Sequence, residues 1–151
     1  MNVNNKTGIK YQQVMKDISE AGNATALTIG KFPGGMAKAA FNARKLGLTL
    51  AQVGRISENN LDFESSIANE MEAELLLGKD LQLDKLRLAS MNGNQAEVAA
   101  EIARITKEAG DFNEMNVYQQ QALAKAMGMT REELADSIVK EKALKALGVD
   151  K

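Results

Sequence analysis

Carboxylates are the side chains of this sequence whose number and spacing could support chemistry. The candidates are Glu64, Glu70, Glu72, Glu74, Glu97, Glu101 and Glu108. A helical di-iron site takes glutamates from two helices and a Glu-x-x-His pair from each of two others. The sequence contains no histidine, so this site cannot be built.

A pair of carboxyl groups could also hydrolyse a glycosidic bond, which leaves a glycosidase formally open. One carboxyl then needs an apolar pocket, and the sugar usually needs aromatic platforms. Two Tyr, four Phe and no Trp argue against such platforms. We therefore interpret the glutamates as solvated faces and interhelical ion pairs. We predict no enzymatic activity, no small-molecule substrate and no catalytic, cofactor-binding or metal-binding residue.

Cysteine is absent as well as histidine, which excludes disulfides, thiolate metal sites and histidine-dependent triads. Residues 22–31 superficially suggest a phosphate loop because Lys31 follows Gly30. The spacing is wrong, no Ser or Thr follows the lysine, and no predicted strand precedes it. A flexible hinge explains these residues better. Gly34 and Gly35 could hold an anion on free amides, which is true of many glycine-led helices.

Residues 61–78 are predicted to form the helix around which the fold is organised. The apolar residues that recur every four positions and form one stripe are Phe63, Ile67, Met71 and Leu75. Asn60 is the predicted N-cap, and Gly78 is the predicted left-handed residue at the end. Three glutamates, at positions 70, 72 and 74, approach the negative end of the helix dipole. We expect basic partners for them from elsewhere in the chain.

Two corners between helices have the same local signature, residues 46–49 (LGLT) and residues 127–130 (MGMT). In each, the glycine ends one helix and the threonine caps the next, with Gln52 or Glu133 completing a capping box. Both corners also resemble the opening of a repressor-type helix-turn-helix. A DNA-binding motif needs a recognition helix rich in Arg, Lys, Asn or Gln, and neither corner is followed by one. DNA binding remains the alternative function.

The remaining apolar periodicity predicts several more short helices and no strand. Residues 11–18 form an amphipathic helix, and Pro33 can start another with Ala39 and Ala43 on its inner face. Residues 80–91 alternate partly like a strand, but Asp84 as a cap with a staple between Leu83 and Leu88 favours a helix. The last two predicted N-caps, each with a partner three residues later, are Asn94 with Glu97 and Asn116 with Gln119.

These elements predict an all-α fold, a compact array of about seven short helices. Residues 1–32 form a polar segment and an amphipathic helix that can stand apart, and residues 33–148 form the helical domain. No apolar run reaches transmembrane length and no signal peptide is evident, so we expect a soluble protein. Residues 1–45 carry seven bases against two acids, and residues 46–84 carry two against eight. This asymmetry favours intramolecular or head-to-tail pairing of the basic and acidic parts.

Three stretches resemble a segment of bacteriophage tail tape-measure proteins. They are LDFESSIANEMEAELLLGKDLQLDKLR (61–87), NGN (92–94) and FNEMNVYQQQALAKAMGMT (112–130). The likeness covers most of residues 36–138. The resemblance implies a non-enzymatic, helical structural segment that is packed inside the tail tube and takes part in tail assembly and length determination. The partners it implies are other tail proteins and other copies of the chain, with no cofactor.

The same resemblance implies two locations, the tail lumen of the virion after assembly and the cytoplasm of the infected host before it. At 151 residues the chain is too short to act as a ruler, so we expect a fragment of a longer protein or a small relative. Besides the helix-turn-helix DNA-binding module, a cytoplasmic helical adaptor is a further alternative.

Overall fold

Helices fill nearly all of the chain that the computed structural model describes, residues 11–20 and 35–146. The α-helices are α1 (Tyr11–Glu20), α2 (Gly35–Lys45), α3 (Leu50–Asn59), α4 (Phe63–Leu77), α5 (Asp84–Asn92), α6 (Gln95–Ala109), α7 (Val117–Met127) and α8 (Arg131–Ala146). A 3₁₀ turn, Phe112–Glu114, lies between α6 and α7. Within these residues there is no strand, so the all-α prediction is confirmed.

The centre of the fold is α6, which packs against α2, α3 and α5. Its fully buried side chains include Val98, Ile102 and Ile105, the three residues that the sequence places on the core face. They belong to one large apolar cluster that also contains the buried leucines of α5 and of the loop before it. The core is built from aliphatic residues and alanines because the sequence has few aromatic side chains.

The prediction that the fold is organised around residues 61–78 is wrong, although those residues do form a helix. The buried residues of α4 are Ser66 and Ala73, and α4 lies on the surface against α7. A step of four residues turns a helix about 40° beyond one full turn, so a four-residue stripe winds away from any fixed face. The exposed fraction rises along it, from 41% at Phe63 and 46% at Ile67 to 61% at Met71 and 82% at Leu75.

Two predicted N-caps also differ from the structure. The N-cap of α4 is Asp62, whose carboxylate accepts from the backbone N–H of Ser65, and not Asn60. Asn60 is buried and donates from Nδ2 to the carbonyl oxygens of Ile56 and Met127, which joins α3 to α7. The Asn60 amide therefore acts as a donor to two carbonyls, whereas an N-cap side chain acts as an acceptor.

The helix over residues 84–92 is present, but its predicted cap and staple are absent. Asp84 is the first helical residue of α5 instead of its cap. Leu88 is 53% exposed while Leu83 is fully buried, so the two do not form a staple. Asn94 and Asn116 are the N-caps of α6 and α7, as the sequence predicts.

Both glycine–threonine corners are confirmed. Thr49 and Gln52 exchange hydrogen bonds across the start of α3, and Thr130 and Glu133 do the same at the start of α8. The glycines of both corners have positive φ, 77° and 94°. Local sequence determines these corners because every bond in them joins residues within one turn.

The amphipathic helix α1 packs against α2 and α3. Val14 is fully buried there, and Arg44 of α2 makes two 2.8 Å hydrogen bonds to the carboxylate of Asp17. The predicted boundary between residues 1–32 and 33–148 stays a prediction. Several expectations fall outside the described residues: the polar residues before α1, the hinge and phosphate-loop candidates in residues 22–34, and the last residues of the predicted domain, 147–148. No helix in the described ranges is long and apolar enough to cross a membrane.

Candidate functional site

The main surface feature of the fold is the side of α4 that faces away from the core. We call Phe63, Ile67, Met71 and Leu75 the outer face. Small residues, Ser66 and Ala73, turn inward, where the Ser66 hydroxyl accepts a hydrogen bond from Arg87 of α5. The large apolar residues are therefore left outside, which is the reverse of an ordinary surface helix. Single exposed apolar side chains are common on protein surfaces, whereas four large ones on one helix form an apolar row, a feature typical of interaction sites.

Further apolar side chains extend the outer face at its C-terminal end. Gln119 at the start of α7 donates from Nε2 to the carbonyl oxygen of Leu76, at 3.0 Å. This bond brings Val117 and Tyr118 next to the end of α4, and both are exposed, Tyr118 by 74%. The patch thus continues from α4 onto the first turn of α7.

Carboxylates border the outer face on both sides. Glu64 and Glu72 follow Phe63 and Met71 directly, so they lie about 100° further round the helix, and both are exposed. Glu70, which is half-buried, lies on the opposite border with Glu74. The sequence of α4, FESSIANEMEAELLL, contains no lysine or arginine. The apolar patch therefore has an acidic rim.

A cavity of about 600 Å³ lies beside the outer face, between α4, the loop of residues 78–83, α5 and α6. Its lining residues are Glu70, Met71, Glu74, Asp80, Gln82, Asp84, Lys85, Arg104 and Glu108. Oxygens of Glu70, Glu74 and Asp80 all lie within 4.8 Å of one another, the spacing that a cation needs. These are the only grouped metal-ligating side chains in the described part of the chain.

The carboxylates of the cavity hold the 78–83 loop in place. Glu74 accepts from the backbone N–H of Leu81 at 2.8 Å, and Glu70 accepts from that of Leu83 at 3.0 Å. The second oxygen of Glu70 accepts from the guanidinium of Arg87 at 2.6 Å. The expectation of a basic partner for Glu70 is confirmed, whereas the partner of Glu74 is a backbone amide. Three of the candidate ligand oxygens are thus already engaged in supporting the fold.

The protonation of Glu74 reflects this crowding. The hydrogen bond from the Leu81 N–H lowers the pKa of Glu74, but burial and the nearby carboxylates of Asp80 and Glu70 outweigh it. The pKa of Glu74 is therefore raised above its ordinary value of 4.5.

Arg104 of α6 supports the same loop from the other side. It donates to the backbone carbonyl of Gln82 at 2.7 Å and to the carboxylate of Glu101 at 2.9 Å. Desolvation lowers the pKa of Arg104, but its hydrogen bonds to Glu101 and Glu108 raise it more, so the net pKa lies above the ordinary value. Gln82 has a positive φ of 54°, which is uncommon outside glycine. The bonds around it hold this strained turn.

The candidate carboxylates of the sequence do not come together as one reactive centre. Glu70 and Glu74 meet in the cavity with Glu108, while Glu64 and Glu72 lie on the exposed rim of α4. Asp80, which joins the cluster, was missed because the loop that brings it back to α4 has no periodic signal. The exposure of the outer face was also missed, although the small residues Ser66 and Ala73, seven positions apart, were a readable sign of the inward face.

Glu97 and Glu101 belong to α6, where Glu101 is buried against Arg104 and Glu97 is exposed at the first turn. Comparison of the chain with models of protein families, with curated proteins and with solved structures finds no match. The function therefore has to be inferred from the outer face and its acidic rim.

Proposed function

We propose that this chain is a non-enzymatic structural segment that works by binding other proteins through the outer face of α4. The observation that carries the proposal is the exposure of Phe63, Ile67, Met71 and Leu75 on a helix whose inward face is made of small residues. Leaving large apolar side chains in water costs free energy that burial against a partner recovers, about 25 cal/mol for each Å². A surface of this kind is expected in a protein that is rarely without a partner.

The resemblance to tape-measure segments gives the proposal its setting. The likeness includes all of α4, the following loop and the whole of α7, the elements that form the apolar patch. In a phage tail the partners would be tail-tube or baseplate-hub proteins. The chain would lie in the tail lumen after assembly and in the host cytoplasm before it. Its role would be to contribute packing surface to tail assembly and length determination.

Among the described residues, the two corners are the only feature in favour of the helix-turn-helix alternative. Arg55 of α3 is paired with the carboxylate of Glu133, and Asn59 donates from Nδ2 to the carbonyl oxygen of Gly128 at 2.8 Å. A recognition helix presents side chains of these types to base edges, whereas Arg55 and Asn59 are bound within the fold. Mixed-sequence duplex DNA at low salt provides a direct check: steep, salt-sensitive binding by the full chain would favour the alternative.

Tail assembly tests the proposal itself. The variant combines Ile67→Gln with Met71→Gln in the gene at its natural locus, and intact tails are counted by negative-stain electron microscopy. We expect the number of complete tails to fall at least about tenfold, because two central apolar contacts of the interface are lost. Val139→Gln, an equally exposed apolar residue on α8, is the matched control and should assemble normally. A locus without tail genes, or normal tails from the double variant, would contradict the proposal.

A further inference from the structure

We infer that the outer face of α4 binds a basic amphipathic helix of a partner protein. Apolar side chains of that helix cover Ile67 and Met71, and its lysines or arginines lie against Glu64 and Glu72. This inference rests on the proposed function, because it specifies the chemistry of the partner that the same surface takes.

The dimensions of the outer face suit one helix lying along another. Its four residues span α4 from Phe63 to Leu75, and a 15-residue helix is about 22 Å long. Because the row turns about 40° around α4 at each step, a straight partner helix crosses it at its middle, over Ile67 and Met71. Leu76 and the first turn of α7 close the C-terminal end with further exposed apolar atoms. A partner helix can thus bury Ile67 and Met71 at the crossing, with Phe63 and Leu75 at its two sides.

Charge decides which kind of helix binds. Glu64 and Glu72 have no ion-pair partner within residues 11–20 and 35–146, and α4 contains no basic residue to neutralise them. The cavity beyond Met71 adds five carboxylates; Arg87 pairs with Glu70 and Asp84, and Arg104 pairs with Glu108, which leaves Glu74 and Asp80. A helix with lysine or arginine beside its apolar stripe would neutralise this rim, whereas an acidic helix would be repelled by it.

The same argument disfavours pairing of two copies through this surface. In an antiparallel pair of α4 helices, Glu64 of one copy would approach Glu74 of the other, and neither helix offers a base. Like charges at such distances destabilise helix pairs. A second copy would have to present a different, basic surface. The most basic of the described helices, α2, already buries its apolar residues Ala39, Ala40 and Ala43 within the chain, so the occupant is a different protein.

Two designed peptides test the inference with the full chain. Both have 15 residues, alanine as the filler and leucine at alternating three- and four-residue spacing; one carries lysine beside the leucines and the other glutamate. Fluorescence anisotropy of the labelled peptides measures binding at low and at high salt. We expect the lysine peptide to bind at least about tenfold more tightly than the glutamate peptide. The preference should shrink at high salt, since salt screens the exposed rim.

Variants assign the binding to the outer face. The double variant Ile67→Gln with Met71→Gln should weaken binding of the lysine peptide at least about tenfold. Val139→Gln, the exposed apolar control on α8, should leave it unchanged. Glu64→Lys with Glu72→Lys should reverse the preference, so that the glutamate peptide binds more tightly. Circular dichroism of each variant confirms that the helices are intact.

Each contrary result has a distinct meaning. If both peptides bind equally well and the double glutamine variant binds neither, the inference of a basic partner is wrong. The outer face would still be the interaction surface of the proposed function. If the free chain self-associates and the double glutamine variant abolishes this, the occupant of the outer face is a second copy and not a basic helix of another protein. Failure of the lysine peptide to bind would overturn the inference, while the tail-assembly experiment decides the proposed function independently.

Discussion

Arg87 is the residue that connects most parts of the acidic side of α4. Its guanidinium donates to Glu70 at 2.6 Å, to Asp84 at 2.7 Å and to the hydroxyl of Ser66 at 3.1 Å. The Arg87 side chain is only 9% exposed, so these bonds are shielded from water. Desolvation lowers the pKa of Arg87, but the hydrogen bonds to Glu70 and Asp84 raise it by more. The pKa of Arg87 is therefore above its ordinary value.

Replacing Arg87 by alanine should destabilise the fold by about 3 kcal/mol, because it leaves the Glu70 carboxylate half-buried without its cation. Chemical denaturation of the purified natural chain and variant measures the difference in the free energy of unfolding. Lys140→Ala, which removes an exposed ion pair to Asp136, is the matched control and should cost less than about 1 kcal/mol. Equal effects of the two substitutions would show that Arg87 contributes no more than a surface charge.

Glu74 makes the stability of the fold depend on pH. Its pKa is raised in the folded chain, so the folded state binds that proton more tightly than the unfolded state. The resulting stabilisation is fully present below the unfolded pKa and is lost as pH rises through the folded value. At neutral pH, Glu74→Gln should therefore be more stable than the natural chain, since glutamine keeps an acceptor for the Leu81 N–H and removes the repulsion.

Urea denaturation at pH 7 and pH 5 checks this expectation. The advantage of Glu74→Gln should be largest at pH 7 and should shrink at pH 5, where the natural residue is more protonated. Glu72→Gln, on the exposed side of the same helix, is the matched control for the change in net charge. A Glu74→Gln variant that is less stable at pH 7 would show that the hydrogen bond from Leu81 outweighs the crowding.

Among the elements, α4 is the one whose role differs most from its sequence pattern. Because its outer face is exposed, the double variant Ile67→Gln with Met71→Gln should change the free energy of unfolding by no more than about 1 kcal/mol. Ile102→Ala in α6 removes a buried side chain and should cost about 3 kcal/mol. Denaturation midpoints of the two variants compare them directly. A large loss of stability in the double variant would place the outer face in the core after all.

Gly47, at the corner between α2 and α3, is required by both its backbone conformation and its close contacts. Gly78, at the end of α4, is required by its backbone conformation alone. Gly47 has a φ of 77°, and a Cβ there would lie 2.7 Å from the Cβ of Lys140 and from the carbonyl oxygen of Ser137. Gly78 has a φ of 67° but no atom within 4 Å of such a Cβ.

Gly78→Ala should therefore cost about 1 kcal/mol, the strain of a left-handed alanine. Gly47→Ala should cost about 3 kcal/mol, because α8 has to move away from the corner as well. Thermal unfolding of both variants gives the comparison. Similar losses would mean that α8 adjusts at little cost.

At the scale of the whole molecule, the open question is how firmly α1 is joined to the rest. Arg44→Ala would leave the buried carboxylate of Asp17 without its two 2.8 Å bonds. Hydrogen exchange should then speed up about tenfold or more in α1, because opening of that helix lets the carboxylate reach water. Exchange in α6 should stay slow. Faster exchange in both helices would mean that α1 and the core unfold as one unit.

The sequence by itself determined the helices and their corners. The two glycine–threonine corners and the caps at Asn94 and Asn116 were predicted correctly because each depends on bonds within one turn. The absence of histidine and cysteine excluded whole classes of site in the same local way. The core face of α6 was also predictable, since its apolar residues follow the period of the helix.

Only the tertiary structure decided which helix lies at the centre and which surface is left open. Periodicity shows that the apolar residues of α4 share a stripe, but burial depends on what packs against them. The small residues Ser66 and Ala73 are the ones that α4 buries, and packing of this side against the fold turns the stripe outward. The cluster of Glu70, Glu74 and Asp80 likewise exists only because the 78–83 loop folds back onto α4, and no local pattern encodes that return.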